Sequence, residues 1–316
     1  KMHILIIGAG VTGCYYAMRL AEKGLDVSLY AREEKVGRLQ QNGVPVRNGI
    51  TSEERRIYPR VLHGQVKESF DLVMVCVQEV HREGLVPLLK NIPDRPIIWY
   101  LGNTAKGYKG PAEQLGSERV LGGFPGVGGT WEGETLVYAD RNRPQDPPYD
   151  SLIIGAAFSK AMPAVGPIVA TFSQAGIQIK RYTPIMAWHL NHIALILPLA
   201  AALYRHKGDV EAAAADTDLL AYCIKMVGRG LSAVRSSGYP ILPVRLKLMR
   251  FIPAIVGAKK VSKLITSDFG RIALAGHALS ARGEMRALAI GFVEHINTQK
   301  NNTKKYTDLV QFLGEM

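Results

Sequence analysis

Acidic residues and cysteines are the scarce types in this 316-residue chain. Asp and Glu number 27 against 39 Lys and Arg, which leaves a formal net charge of +12. A surplus of that size raises the question of nucleic acid, because clustered cations neutralise phosphates. The clusters are missing. Arg55 and Arg56 directly follow Glu53 and Glu54, while Lys259, Lys260 and Lys263 form one small group and Lys304 and Lys305 another. No basic stripe is interleaved with aromatic residues, so no nucleic-acid partner is expected. The surplus suits solvated faces and the attraction of an anionic cofactor and substrate.

The only cysteines, Cys14, Cys76 and Cys223, are far apart and odd in number. That spacing speaks against a zinc motif and against a disulfide framework, and makes a reducing cytoplasm the expected compartment. The chain enters the apolar run His3-Ile4-Leu5-Ile6-Ile7 at once, without the parts of a signal peptide. Long apolar runs are also scarce. Residues 185–204 approach the roughly 20 apolar residues that span a bilayer, but they contain His189, Asn191, His192 and Pro198, which favours a helix buried in protein. No membrane partner is expected. Internal repeats and low-complexity tracts do not stand out.

The composition that remains is that of an ordinary folded protein, with 47% hydrophobic and 21% charged residues. Its length makes two domains the natural expectation. Short β-like runs alternate with helical patterns through the first half, which argues for parallel βαβ units. Strands are predicted at residues 3–7, 26–30, 72–77, 97–101 and 120–123, with a hairpin-like insertion over 43–60. Two more strands are predicted at 152–155 and 177–182, around a helix within 161–174. After Pro184 nearly everything reads as helix: 186–204, 209–236, 243–258 and 268–297. The expected architecture is therefore an α/β Rossmann domain with a mostly parallel sheet over residues 1–183, followed by an all-helical domain over 184–316.

Gly8-Ala9-Gly10-Val11-Thr12-Gly13 matches the pattern G-x-G-x-x-G between a predicted strand and a helix that Gly24 closes. In such a turn Gly8 permits the bend and Gly10 lets backbone approach a pyrophosphate, while Gly13 allows helix to pack on strand. The helix N-terminus, with Val11 and Thr12, adds unpaired N–H groups and a positive partial charge. The next strand decides which dinucleotide binds. NAD sites place Asp or Glu at its end, about 20 residues on. Here Tyr30-Ala31-Arg32 stands there, and the planar fork of Arg32 suits a 2′-phosphate. NADP is the expected cofactor.

These features, with the Asn103 loop, the helical second half and the segment Trp188-His189-Leu190-Asn191-His192-Ile193-Ala194-Leu195-Ile196-Leu197-Pro198-Leu199, resemble the ketopantoate reductase family. That family reduces a keto acid with NADPH in a cleft between a Rossmann and a helical domain. The resemblance implies cofactor contacts at Gly8, Gly10, Val11, Thr12, Gly13 and Arg32. It implies substrate and nicotinamide contacts at Asn103 and Glu284. Gln78 stands where the family has a lysine after the third strand of the parallel series, and it takes that cofactor-side position here. A second departure matters more. The proton-donating lysine of the family lies two residues after the tryptophan, and this chain has Leu190 there. A carbonyl becoming an alkoxide needs a proton and a nearby positive charge, and leucine supplies neither.

Candidates to replace it are His192, Glu284 and ordered water, with Asn103 as the third member of the expected catalytic set. His189 and His277 are alternatives, His277 and Glu284 being seven apart and on one face if their helix is continuous. The two histidines of the 189–192 pair lack a third ligand, so no metal is expected. The function that follows is an NADP-dependent oxidoreductase acting on a small oxo acid or imine, not ketopantoate itself. Its alternative is an NADP-binding sensor or interaction protein without turnover. A flavin on the same turn is a third reading. The apolar helix at 186–204 needs cover on more than one side, which makes a homodimer an expectation. Gly122 to Gly129 looks like a second phosphate cradle, but no helix start follows it, and it is expected to form a flexible wall.

Overall fold

The computed structural model describes residues 2–140, 152–297 and 302–316. The chain divides into two compact units, one of Lys1–Gly102 with Gly107–Ile185, the other of Asn103–Lys106 with Met186–Met316. The short segment after the strand at 97–101 thus packs with the helices. No single cut in the sequence could express that.

The first unit is built on β1 (His3–Ile7), α1 (Val11–Glu22), β2 (Asp26–Tyr30), α2 (Glu33–Asn42), β3 (Val44–Asn48), β4 (Glu54–Ile57), β5 (Arg60–Leu62) and β6 (Leu72–Val75). It continues with α3 (Glu79–Arg82), α4 (Val86–Asn91), β7 (Ile97–Leu101), α5 (Lys109–Leu115), β8 (Val120–Phe124), β9 (Val127–Glu132), β10 (Thr135–Asp140), β11 (Leu152–Ala156), α6 (Met162–Gln174) and β12 (Ile179–Arg181). Eight strands form the main sheet in the order β12-β11-β8-β7-β6-β1-β2-β5. Six of them run parallel, and β11 reverses against β8. The central strands β1, β6 and β7 are buried nearly throughout, as expected of a parallel sheet covered on both faces.

The hairpin foreseen over 43–60 is β3 paired with β4. What the sequence hid is its partner. Val46 pairs with Leu136, so this hairpin joins β9 and β10 in a second, four-stranded sheet. That sheet lies against α1, with the Tyr15 and Tyr138 rings 5.2 Å apart. The glycine run at 122–129 is not the flexible wall expected of it. It belongs to β8 and β9, and its missing side chains make room for neighbours. A Cβ at Gly122 would collide with the Tyr108 hydroxyl, and one at Gly123 with the Trp99 indole nitrogen and the Ile153 carbonyl.

The second unit comprises α7 (Ile185–Arg205), α8 (Val210–Ala215), α9 (Thr217–Ser236), a 3₁₀ segment (Val244–Phe251) and α10 (Ala254–Thr266). A π-type turn (Gly270–Ala275), α11 (Gly276–Ser280), α12 (Arg282–Asn297), α13 (Asn302–Lys305) and α14 (Thr307–Gly314) complete it. Several predicted helices are divided. The 209–236 helix breaks because Asp216 leaves helical geometry to cap α9, accepting from the Leu219 N–H at 3.0 Å. Pro253 separates the 3₁₀ segment from α10, and α10 runs on to Thr266. Helix α7 alone among the described residues is long and apolar enough to cross a membrane, and 72% of its most apolar window is buried within the protein. Its cover comes from this chain, so it gives no reason for a second subunit. Asn191 fits this apolar helix because its side-chain amide donates to the Ala187 and Pro240 carbonyls.

Candidate functional site

In parallel sheets of this type ligands meet the carboxyl ends of the strands. The register places Ile7 beside both Tyr30 and Val75, and Val75 beside Tyr100. The residues that follow, Gly8, Ala31 and Arg32, Cys76 to Gln78, and Gly102, therefore leave the sheet at one edge. Each glycine of the turn has a different surrounding. Gly8 has φ +113°, and a Cβ there would lie 2.9 Å from the Cys76 carbonyl oxygen. A Cβ on Gly13 would overlap the Gly8 carbonyl, so α1 can approach β1 only without one. Above Gly10 nothing lies within 4 Å of a built Cβ. Gly10 is also the N-cap of α1, in extended geometry and without a capping side chain. Open space over a helix N-terminus whose N–H groups need partners suits a pyrophosphate.

Beyond β2, Ala31 is buried and its N–H donates to the Leu62 carbonyl. Arg32 is the N-cap residue of α2, and its side chain is 76% exposed with Nε 3.1 Å from Glu34. Glu33 and Glu34 form the first turn of α2, as the sequence suggests. Gln78 is exposed at the start of α3, and Val11 and Thr12 are half-buried. Arg82, which the sequence did not single out, is 6% exposed, donates toward the Val77 and Leu101 carbonyls at 3.4 Å, and lies over the Tyr100 ring. Its place under two strand ends has no sequence pattern to announce it. The thiols are packing groups: burial pushes those of Cys14 and Cys223 up to about 12.

A second group of polar residues lies within the helical unit. Asn103 is 3% exposed and Glu284 8%. The Asn103 Nδ2 donates to Glu284 Oε1 at 3.3 Å, and the Asn103 Oδ1 and Glu284 Oε2 atoms are buried without a hydrogen bond. Two buried oxygens in that condition are an opening for a ligand's donors. The 103–106 segment sits close on α12 because Gly291 has no side chain; a Cβ there would lie 2.8 Å from that of Ala105. Glu284 Oε2 is 3.7 Å from His277 Nε2. The continuous helix expected over 268–297 would separate those two residues by about 10 Å along its axis. Instead Ala281 turns out of helical geometry (φ −115°, ψ 36°) between α11 and α12.

On α7, Leu190 is 1% exposed and belongs to the apolar core, as does its neighbour Ile193. The less buried side of this helix carries His192, Leu195, Ile196 and Leu199. His192 stacks on Trp188 with ring centroids 4.9 Å apart and 12° between planes. Burial, with a smaller effect from His277, pushes its pKa down to about 4. His189 is fully buried. Among the described residues no group of three His, Cys, Asp or Glu is placed to hold a metal ion.

Comparison with known proteins bears on the fold that carries these residues. Residues 4–144 match the family model of ketopantoate reductase PanE/ApbA. A 2-dehydropantoate 2-reductase of Listeria innocua is 25% identical over 139 residues, 43% of this chain and 46% of that protein. The chain thus matches slightly less than half the length of that curated relative. The crystal structure of 2-dehydropantoate 2-reductase from Geobacter metallireducens aligns with TM-score 0.77 at 15% identity, over 99% of each chain. The ternary structure of D-mandelate dehydrogenase with NADH and anilino(oxo)acetate aligns with TM-score 0.76 at 12% identity, over 99% of this chain and 97% of that one. Residues 4–144 are thus similar in sequence to the ketopantoate reductase family, and the whole chain shares the fold of the 2-dehydropantoate 2-reductase and D-mandelate dehydrogenase structures.

Proposed function

We propose that the protein is an NADP-dependent reductase of a small oxo acid or imine other than ketopantoate. The observation that carries this reading is the turn itself, tight at Gly8 and Gly13 and open at Gly10, followed by Arg32 where NAD sites hold an acid. When bound, the dinucleotide supplies a hydride through its nicotinamide. The N–H groups at the start of α1 hold its pyrophosphate, and the Arg32 fork pairs with its 2′-phosphate. Asn103 and Glu284 offer a buried amide and carboxyl to the substrate. The curated relative is a 2-dehydropantoate 2-reductase, and one structural neighbour is a D-mandelate dehydrogenase described with NADH, which supports the reaction class. The absence of lysine at Leu190 supports a substrate other than ketopantoate. A reducing, cytoplasmic setting goes with three free cysteines.

Charge-assisted hydrogen bonds contribute about 1.5–3 kcal/mol. Arg32→Ala should therefore raise the Michaelis constant for NADPH roughly 10- to 100-fold and leave that for NADH nearly unchanged. Steady-state kinetics with both cofactors, across a panel of 2-oxo acids and imines, reads this directly. Equal effects on the two cofactors would remove the NADP assignment. The second reading, an NADP-binding sensor without turnover, is favoured by Leu190; tight NADPH binding with no oxidation on any substrate would establish it. A homodimer belongs to the proposal on the strength of a different surface from α7. Leu248, Phe251 and Ile255 are 64%, 69% and 61% exposed within one stretch of the helical unit. A monomeric mass by light scattering would remove it.

A further inference from the structure

Reducing a carbonyl requires an acid, and the position where the family keeps its lysine lies in the apolar core here. Among the described residues His277 lies 3.7 Å from the buried carboxyl of Glu284, and His192 is close enough to His277 to feel its charge. His192 on α7 is uncharged at neutral pH, for the reasons given above, and an uncharged imidazole adds no positive charge beside a developing alkoxide. His277 on α11 differs. Its side chain is 42% exposed and so in contact with solvent, and its Nε2 lies 3.7 Å from Glu284 Oε2 while the other carboxylate oxygen accepts from Asn103. Ionisable groups on the elements next to it include His192, Arg282 and Tyr204. The Arg282 guanidinium lies 4.5 Å over the Tyr204 ring, and the Tyr204 hydroxyl donates to the Ala278 carbonyl beside His277. Glu284 is thus the carboxylate within ion-pair range of the ring, and the break at Ala281 is what brings the two together.

We propose that His277 is the proton donor of the reaction, within ion-pair range of Glu284, in place of the lysine. The proposal rests on the reductase reading above. With hydride supplied to the carbonyl carbon by a bound reduced nicotinamide, the carbonyl π pair would move to oxygen, and that oxygen would take a ring N–H proton of His277. The products are the alcohol, the oxidised nicotinamide and a neutral imidazole, which solvent protonates again. For an imine the nitrogen takes the proton in the same way.

The test uses the full-length protein and three variants. His277→Asn should lower kcat roughly 10²- to 10⁴-fold, the usual worth of a positioned acid, with the NADPH dissociation constant and melting temperature unchanged. His277→Lys should restore turnover and move the alkaline limb of the rate profile upward, since an ammonium keeps its proton to higher pH than an imidazole. Glu284→Gln should lower kcat with the melting temperature unchanged. A measurement independent of turnover is peptide mapping after diethyl pyrocarbonate, where NADP with oxamate or anilino(oxo)acetate should shield His277. A His277→Asn enzyme within about threefold of wild-type kcat, or equal labelling with and without these 2-oxo acid mimics, overturns the proposal. Should wild-type protein oxidise NADPH with no substrate, the reductase reading falls. Labelling then still decides whether His277 lines a ligand site.

Discussion

Gly10→Ala should lower the melting temperature by no more than about 3 °C and weaken NADPH binding about 10- to 100-fold, whereas Gly13→Ala should lower the melting temperature by about 6–12 °C. The two glycines stand three residues apart in one turn, yet their surroundings are opposite. A methyl group on Gly10 meets no atom of the protein within 4 Å, and the extended backbone there (φ −98°, ψ −167°) accepts alanine without strain. The added carbon occupies the space a pyrophosphate needs, and overpacking of about 1–3 kcal/mol falls on the complex alone. On Gly13 the methyl meets the Gly8 carbonyl, which is backbone and cannot rotate aside. Separating α1 from β1 costs about 3 kcal/mol, the upper end for an overpacked site. Fluorescence titration with NADPH and thermal melts of both variants separate the effects. A Gly10→Ala protein that binds NADPH as well as wild type would mean that the phosphates do not pass over this residue.

This contrast also marks what a sequence can and cannot carry. The roles of Gly8, Gly10 and Gly13 were legible because all three act on neighbours close in the chain: a strand, a turn, a helix start. So were the parallel strands, whose apolar runs are continuous. The second sheet was not, since Val46 and Leu136 find each other only once the main sheet has brought their loops together. The glycines at 122 and 123 misled for the same reason, because the atoms that require them, on Tyr108, Trp99 and Ile153, come from other elements. In the helical half, periodicity located the helices and missed their breaks, one capped by the Asp216 side chain and one at Ala281, a good helix former that gives no local signal. The break at Ala281 had the larger consequence. A continuous helix would have put His277 and Glu284 two turns apart on one face; the broken one puts them within ion-pair range.

His192 should make the protein sensitive to mild acid, and His192→Phe should remove that sensitivity. An imidazole that titrates near pH 6.5 in the unfolded chain is pushed down to about 4 in the folded one, first by burial and then by His277. As pH falls through 6.5 the unfolded chain takes up this proton and the folded chain does not, so stability is lost. The contribution is complete above about pH 6.5, declines between 6.5 and 4, and is gone below. At 1.36 kcal/mol per unit the loss reaches about 3 kcal/mol. Phenylalanine keeps an aromatic ring against Trp188, where the two planes now lie 12° apart, and has no proton to gain. Urea midpoints for the two proteins should therefore diverge steadily from pH 7 to pH 4, with the variant the more stable in acid. His295, whose pKa burial also lowers, titrates in both and cancels in the difference. Parallel stability curves would show that His192 accepts a proton in the folded protein near its ordinary pH. It would then regain a place beside His277 as a donor for the substrate oxygen.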